Sequence, residues 1–497
     1  MIAAIYSEWT KYWTVRGWVI GMLIAILAIL GVGLLGHESG NGSSLPLGPG
    51  GEAVNDTFYF VRQPLAGNGS LTVRVSSLTG LVQPGSGRVR AGQGGQPQMV
   101  PGLQPWSKAG IIIKASTSQG SAYAAMMVTG GHGVRMQDDY TLDTPGLPGA
   151  VSPASPRWLR LARFGDTITG YDSPDGVHWT RVGTATLPGL PATVQAGLFA
   201  ASPLQNRAIT QSLGGASGAS TPTLATGTFD RVQGLPGAWT GTQIGGGPTD
   251  TYPAATGGYQ QADGRLTVTG SGDISPAVPG GDFGANLGHT LIGTFAGLIA
   301  VVVVAAMFIT AEYRRGLIRT TLAASPLRDQ VLAAKAAVTG AIAFAAGLAG
   351  AAIGLPLGMS QLRASGAFID PVTTLTQLRL VVGTAGLLAI AAVLALALGT
   401  ILRNSAMAVT TVIVVVILPY ILATFTTSGF TQWLLRVTPA AGFAIQQAYP
   451  RYSQVDASYT IVGGYYPLPP WAGFAVVCAW AAAAVALAAI LLRRRDA

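Results

Sequence analysis

Few side chains in this sequence could converge to do chemistry. Hydrolysis of a glycosidic bond needs two carboxyl groups roughly 5–10 Å apart across a cleft. Between residues 37 and 286 the only glutamates are Glu38 and Glu52, both near one end. Asp138 and Asp139 are neighbours, so on a strand they point to opposite faces. Nucleotide hydrolysis by a P-loop needs a Gly-Lys-Ser/Thr run whose backbone N–H groups and lysine cradle phosphate. The four lysines, Lys11, Lys108, Lys114 and Lys335, follow Thr, Ser, Ile and Ala. None of them can serve a P-loop. Cys478 is the single cysteine, which excludes an intrachain disulfide and a cysteine zinc cluster. His37, His132 and His178 are far apart in sequence, and His289 near a span end reads as interfacial rather than as a ligand. The residues predict no catalytic group, no cofactor-binding residue and no metal ligand. Trp106, Tyr140 and Trp179 are candidate glycan contacts, because an aromatic face stacks on a sugar ring. The competing reading has them filling a core, as large aromatics do.

The elements that hold these residues are of two kinds. Only 10% of the 497 residues are charged, against about a quarter in soluble proteins. Residues 37–286 carry 14 basic and 14 acidic residues, so the net charge of +9 belongs to the remainder. There the basic residues punctuate apolar runs. That arrangement predicts membrane flanks and excludes a nucleic-acid surface, which would need them on a hydrophilic face.

About 20 apolar residues cross a hydrocarbon core of roughly 30 Å. Residues 17–36, 287–311, 336–358, 380–402, 405–427 and 471–492 meet this length without Lys, Arg, Asp or Glu. Placing the N-terminus in the cytoplasm puts 11 basic residues inside and 4 in the short outer loops. Both termini are therefore expected to be cytoplasmic, with 37–286 extracellular. Uncharged spans also favour a hydrophobic cargo if the chain transports anything. Ahead of the first span, Ile5, Trp9 and Trp13 recur every fourth residue, as on one face of an interfacial helix. Gly350, Gly354 and Gly358 recur likewise in the third span, a small-residue face for close helix packing. Pro356 and Pro419 are candidate kinks. The outer stretch 428–470 fits either a segment re-entering the membrane or an ordinary loop.

Residues 37–286 read differently. A Gly/Ser/Pro linker leads into short alternating runs such as "LTVRVSSL", separated by Gly, Pro and Asp turns. This pattern predicts an all-β sandwich. Ser173-Pro174-Asp175-Gly176 is a hairpin turn in which Pro presets φ and Gly takes positive φ. The runs "PWSKAGIIIKAS" (105–116), "GHGVRMQDDY" (131–140) and "PRWLRLARFGDTITGYDSPDGVHWTRVG" (156–183) resemble concanavalin A-like jelly rolls.

Residues 312–335, "EYRRGLIRTTLAASPLRDQVLAAK", form a cationic, helix-prone stretch between spans two and three. Its ordered pattern closely resembles the "EYRxGxIRTTLxxxPxR" loop of permease subunits of type 2 ABC transporters. "YSEWTKYWTVRGW" (6–18) resembles their elbow helix, and "TPAAGFAIQQ" (438–447) precedes the last span as it does there. The resemblance implies that Glu312, Tyr313, Arg314, Arg315, Gly316, Arg319, Thr320, Pro326 and Arg328 seat on a separate ATPase subunit. It further implies an exporter with ATP on the partner, a second permease subunit making a homo- or heterodimer, and contact with membrane lipid.

The expected architecture is a membrane α-helical bundle of six spans plus an extracellular all-β jelly-roll sandwich inserted between spans 1 and 2. Residues 1–36 hold the elbow helix and span 1, 37–286 the sandwich with its linkers, and 287–497 spans 2–6 with the C-terminal tail. The alternative function is a membrane-anchored carbohydrate-binding or sensor protein that uses the sandwich to recognise cell-wall glycan. One span would suffice for an anchor, so six favour the permease.

Overall fold

The computed structural model describes residues 2–35, 45–83, 99–210, 216–246, 257–279, 285–314, 327–425, 429–455 and 459–494. The chain divides into two compact units. One comprises Met1–Ser43, Val278–Arg451 and Tyr459–Ala497; the other comprises Ser44–Ala277 with Tyr452–Ser458.

The first unit is helical. Its described helices are α1 (Ile2–Thr14), α2 (Arg16–Leu35), α3 (Thr294–Arg314), α4 (Arg328–Ala364), α5 (Thr374–Leu402), α6 (Ser405–Val416), α7 (Leu418–Phe425), α8 (Gly429–Val437) and α9 (Pro470–Arg494). Among the described residues, six segments are long and apolar enough to cross a membrane: Arg16–Gly33, Leu287–Arg314, Arg328–Ala364, Thr374–Leu402, Ser405–Thr424 and Pro470–Arg494. The protein is thus a multi-pass membrane protein.

Local chemistry sets the helix ends. The Thr373 hydroxyl accepts the Thr376 N–H at the start of α5, and the Asn404 side chain accepts the Met407 N–H at the start of α6. Both are side-chain caps for orphan N–H groups. Pro356 lies within the continuous helix α4. At Ile417, by contrast, the fifth span breaks into α6 and α7, with Pro419 in the first turn of α7. Proline is tolerated there because those N–H groups have no intrahelical partner.

The glycine face of α4 works as expected. A Cβ on Gly350 would lie 2.8 Å from Ile29 Cδ1, and one on Gly358 would lie 2.5 Å from Thr290 Cβ. Small residues here let α4 approach α2 and the turn before α3.

Two expectations need correction. The helix of the third span is not confined to 336–358: α4 starts at Arg328 and carries Asp329, Lys335 and Arg363 on either side of that uncharged run. Nor do Ile5, Trp9 and Trp13 share one environment. Trp9 and Trp13 are exposed, whereas α1 buries Glu8 and Tyr12 and packs Ile5 toward the core. The buried face follows the partners that Glu8 and Tyr12 find, and these are remote in sequence.

The stretch before the last helix enters the helical core. Residues Pro439–Gln446 form a 3-10 turn that is buried throughout. The Gln446 amide donates to the Thr294 hydroxyl at 2.9 Å and the Thr384 hydroxyl at 3.0 Å. These bonds satisfy a polar group that would otherwise be costly to bury.

The strands of the second unit all lie, in sequence, between α2 and α3. One antiparallel sheet runs, in spatial order, Thr180–Thr186 (β11), Thr167–Ser173 (β10), Arg157–Phe164 (β9), Gly69–Val82 (β3), Leu224–Gln233 (β15), Arg265–Gly270 (β18) and Gly258–Ala262 (β17), with Val100–Pro101 (β4) beside β3. The other runs Thr240–Ile244 (β16), Phe58–Ala66 (β2), Thr193–Ala201 (β12), Lys108–Lys114 (β5), Tyr123–Thr129 (β6), Val134–Asp138 (β7) and Leu142–Pro145 (β8). Val54–Asp56 (β1) pairs with Ile274–Pro276 (β19), and Gln205–Thr210 (β13) with Ala216–Thr221 (β14).

Leu71, Val73 and Val75 of β3 meet Ile111 and Ile113 of β5 and Leu198 of β12 in one core between the sheets. Alternation places Thr72 and Arg74 on the other face. A further apolar cluster covers the opposite side of the second sheet, with Phe58, Phe60, Ile112, Met127 and Phe199. Strand β5 is therefore buried on both faces, which explains its unbroken "GIII" run. The turn Ser173–Gly176 forms as expected, with Gly176 at φ 79°.

Candidate coupling site

The residues that flank the cationic loop meet side chains from a distant part of the sequence. Helix α1 presents Glu8, Lys11 and Tyr12, which three- and four-residue spacing places on adjoining faces. Helix α3 ends with Glu312, Tyr313 and Arg314, and α4 carries Lys335 as its eighth residue. The Lys335 ammonium donates to Glu8 Oε2 at 2.6 Å and to Glu312 Oε1 at 2.7 Å. Lys11 donates to Glu8 Oε1 at 2.7 Å and reaches Glu312 Oε1 at 3.4 Å. Lys335 is fully buried, while the Lys11 side chain is 41% exposed.

Two lysines thus balance two glutamates. The balance matters because an ion taken out of water costs several kcal/mol unless it is paired and hydrogen-bonded. Lys335 also lies 4.9 Å from the centre of the Phe308 ring. Phe308 packs edge-on against Trp18 and beside Tyr12, whose hydroxyl donates to the Trp18 carbonyl. Aromatic rings thus wall the cluster. For Lys11, burial alone would lower the ammonium pKa. The hydrogen bond that Lys11 donates to Glu8 and the charges of Glu312 and Glu8 outweigh it and raise the value.

The same end of the helical unit gathers other cations. Arg403, just past α5, lies over the Tyr313 ring at 5.3 Å. Arg328 donates to the Leu492 carbonyl at 2.6 Å. Arg493 makes a two-pronged ion pair with Asp329. Arg314 is exposed. The first turn of α4 is thereby tied to the last turn of α9.

Of the residues expected to seat on a partner, Glu312, Tyr313, Arg314 and Arg328 take these positions. Arg315, Gly316, Arg319, Thr320 and Pro326 lie outside the described residues. Sequence reasoning missed Glu8, Lys11 and Lys335 as members of the site. The signal was present: a glutamate in an aromatic elbow, another at a span end and a lysine at the next span start. Each is costly in an apolar setting unless an opposite charge meets it.

A family model described as "ABC-2 family transporter protein" matches residues 122–497. The chain belongs to that family. An ABC-2 transporter is a membrane permease of the ABC class, and membership implies association with an ABC ATPase subunit. No curated protein matches the chain. Among solved structures, it is similar over 41% of its length to a functionally unknown protein from Saccharomyces cerevisiae, at 14% identity, 85% of that chain and a TM-score of 0.23. It is similar over 45% of its length to scytalido-glutamic peptidase bound to a transition state analog inhibitor, at 8% identity, 100% of that chain and a TM-score of 0.26. At these scores neither likeness bears on the chemistry of the ABC-2 permease.

In the sandwich of this permease the three candidate glycan aromatics are dispersed. Trp106 precedes β5, is 4% exposed and stacks on His132 at 4.0 Å. Tyr140, in the turn between β7 and β8, is fully buried. Its hydroxyl donates to Asp56 Oδ2 at 2.8 Å, which also accepts from Lys114 and the Gly120 N–H. Neither ring presents a face to a sugar, which corrects that expectation for Trp106 and Tyr140. Both fill core positions, as the competing reading held. Trp179, after the β10 turn, is half-buried, and the Arg160 guanidinium lies 3.9 Å from its ring centre. Asp138 and Asp139 differ in setting. Asp138 ends β7, and burial with the Asp139 charge pushes its carboxyl up to about 6. Asp139 begins the turn with φ 40° and accepts the Tyr123 N–H.

Proposed function

We propose that this ABC-2 permease is the transmembrane subunit of an ATP-driven exporter, coupled to a separate ATPase subunit through residues 312–335. The observation that carries the proposal is Lys335, buried between Glu8 and Glu312. It joins the elbow helix α1 to both flanks of the loop, so a force applied to the loop by a partner is transmitted to α1, α3 and α4 together. A nucleotide on the partner would then shift the spans between two arrangements through differential contacts. The absence of Gly before any lysine supports placing ATP on that partner.

The cations at this end, from Lys11, Arg314, Arg328, Arg403 and Arg493, support a cytoplasmic orientation for it. Both termini are then cytoplasmic and the sandwich, of concanavalin A-like type, is extracellular. A second permease subunit completes the assembly. The exposed Trp9 and Trp13 of α1 support contact with lipid headgroups.

The test is recovery of a Walker-type ATPase with the purified permease, comparing wild type with Arg315→Glu and Arg319→Glu. The proposal expects recovery to fall in both variants while the permease stays folded. Equal recovery with unimpaired transport would sink it.

A further inference from the structure

The outer face of the sandwich's first sheet carries a polar row across five strands, with a register shift at Tyr171 against β11 and another before Gln233 against β3. Register places Gln233 (β15) beside Thr72 (β3), Thr72 beside Arg160 (β9), Arg160 beside Tyr171 (β10), and Tyr171 beside Arg181 (β11). Adjacent strands lie about 4.8 Å apart, so the row spans roughly 19 Å. Around its centre is an open groove of about 490 Å³, lined by Ser70, Thr72, Arg160, Ala162, Tyr171 and Gln233 with Gly234. That volume lies within the usual range of ligand sites, about 300–1,000 Å³.

Arg160 is held in one orientation. Its Nε donates to the Thr72 hydroxyl at 3.1 Å, and its guanidinium carbon lies over the Trp179 ring at 3.9 Å. Its two terminal nitrogens have no hydrogen-bond partner among the described residues, and neither has Arg181. Asp230 of the same sheet is already held by two bonds from Arg74, at 2.6 and 2.8 Å. A fixed guanidinium fork with two unused nitrogens matches the two oxygens of a carboxylate. The hydroxyls of Ser70 and Tyr171 and the Gln233 amide match a ligand rich in hydroxyl groups.

We propose that this groove binds a carboxylate-bearing saccharide chain, with Arg160 gripping one sugar carboxylate bidentately and Arg181, two strands away, engaging the next. Trp179 is a positioning residue that orients Arg160. The site is independent of the coupling reading.

The experiment measures binding to the purified full-length protein by calorimetry. The probes are a galacturonic acid hexamer, the same hexamer with its carboxyls methyl-esterified, and inorganic phosphate. Wild type is expected to bind the acidic hexamer, at least tenfold tighter than the ester, with affinity falling as salt rises. Arg160→Ala and Arg181→Ala are each expected to weaken it about tenfold, and Arg160→Lys is expected not to restore the loss. Arg181 is exposed and makes no hydrogen bond among the described residues, so Arg181→Ala stays informative if Arg160→Ala misfolds. No binding of the acidic hexamer, equal binding of the ester, or unchanged affinity in Arg181→Ala would overturn the site. Phosphate competing as well as the hexamer would overturn its assignment to a saccharide.

Discussion

Lys335 of α4 lies 2.6 Å from Glu8 of α1, although 327 positions separate them in the sequence. Among the described residues this is the one ion pair that joins the elbow to the helix that follows the cationic loop. The pair is buried, so its removal has a cost that depends on which charge is left behind.

Lys335→Met leaves Glu8 and Glu312 facing each other with only Lys11 between them. We expect destabilisation of about 3–5 kcal/mol, the range for an uncompensated buried charge. The double variant Lys335→Met, Glu312→Gln leaves Lys11 paired with Glu8 at 2.7 Å, removes the imbalance and is expected to regain most of that loss. Thermal unfolding in detergent, followed by tryptophan fluorescence, reports both. A double variant no more stable than Lys335→Met alone would contradict the charge-balance account.

The glycine face of α4 gives a graded test. A Cβ on Gly354 meets only Leu30 Cδ2 at 3.6 Å, whereas one on Gly358 is driven into Thr290 at 2.5 Å. Gly354→Ala is expected to be neutral or to stabilise by up to about 1 kcal/mol through helix propensity. Gly358→Ala is expected to cost about 1–3 kcal/mol through overpacking. Equal midpoints for the two variants would show that α4 does not pack as described.

The sandwich holds a second buried charge pair, Lys114 with Asp56, joined by Tyr140. Burial lowers the Lys114 ammonium pKa while Asp56 opposes the shift. Tyr140→Phe removes one hydrogen bond to Asp56 and is expected to cost about 1–3 kcal/mol. Lys114→Met leaves the Asp56 carboxylate unpaired and is expected to cost more, about 3–5 kcal/mol. Chemical denaturation of both variants checks the order.

Asp138 predicts a pH dependence. Its carboxyl is held at about 6 in the fold, above an unfolded value of about 3.9. The folded state therefore binds more protons across that window, and stability falls as pH rises through it. The contribution is fully present below about pH 4 and lost above about pH 6. Partial screening by solvent limits it to the order of 1–2 kcal/mol. Asp139 is raised in the same direction by burial. Asp138→Asn is expected to flatten the unfolding midpoint between pH 4 and 7, and an unchanged slope would contradict the assignment.

The legibility of this chain follows from the range of each interaction. A span needs about 20 apolar residues in a row, so all six were visible locally. The alternation of Leu71, Val73 and Val75 likewise marked a sheet face, because period two is a property of one strand. What stayed hidden depends on residues far apart. Lys335 looked like a loop cation that stops a span, since its partners are Glu8 and Glu312. Lys108 and Lys114 bound β5 and are both buried against aspartates, Asp273 and Asp56, that lie far off in the sequence. Residues 439–446 carry no charge and no clear period, so their burial in the helical core could not be separated from an ordinary loop. The groove residues Arg160, Tyr171 and Arg181 become neighbours only through strand register, which the sequence does not display.

The central claim is that the loop between α3 and α4 seats on an ATPase. Cys478 is the single native cysteine, so Cys478→Ser with Arg319→Cys gives one reactive site in the loop. Carrying a photoactivated benzophenone at residue 319, the permease should form an adduct with the ATPase subunit purified alongside it. Adducts with lipid alone, in an intact permease–ATPase complex, would contradict the account.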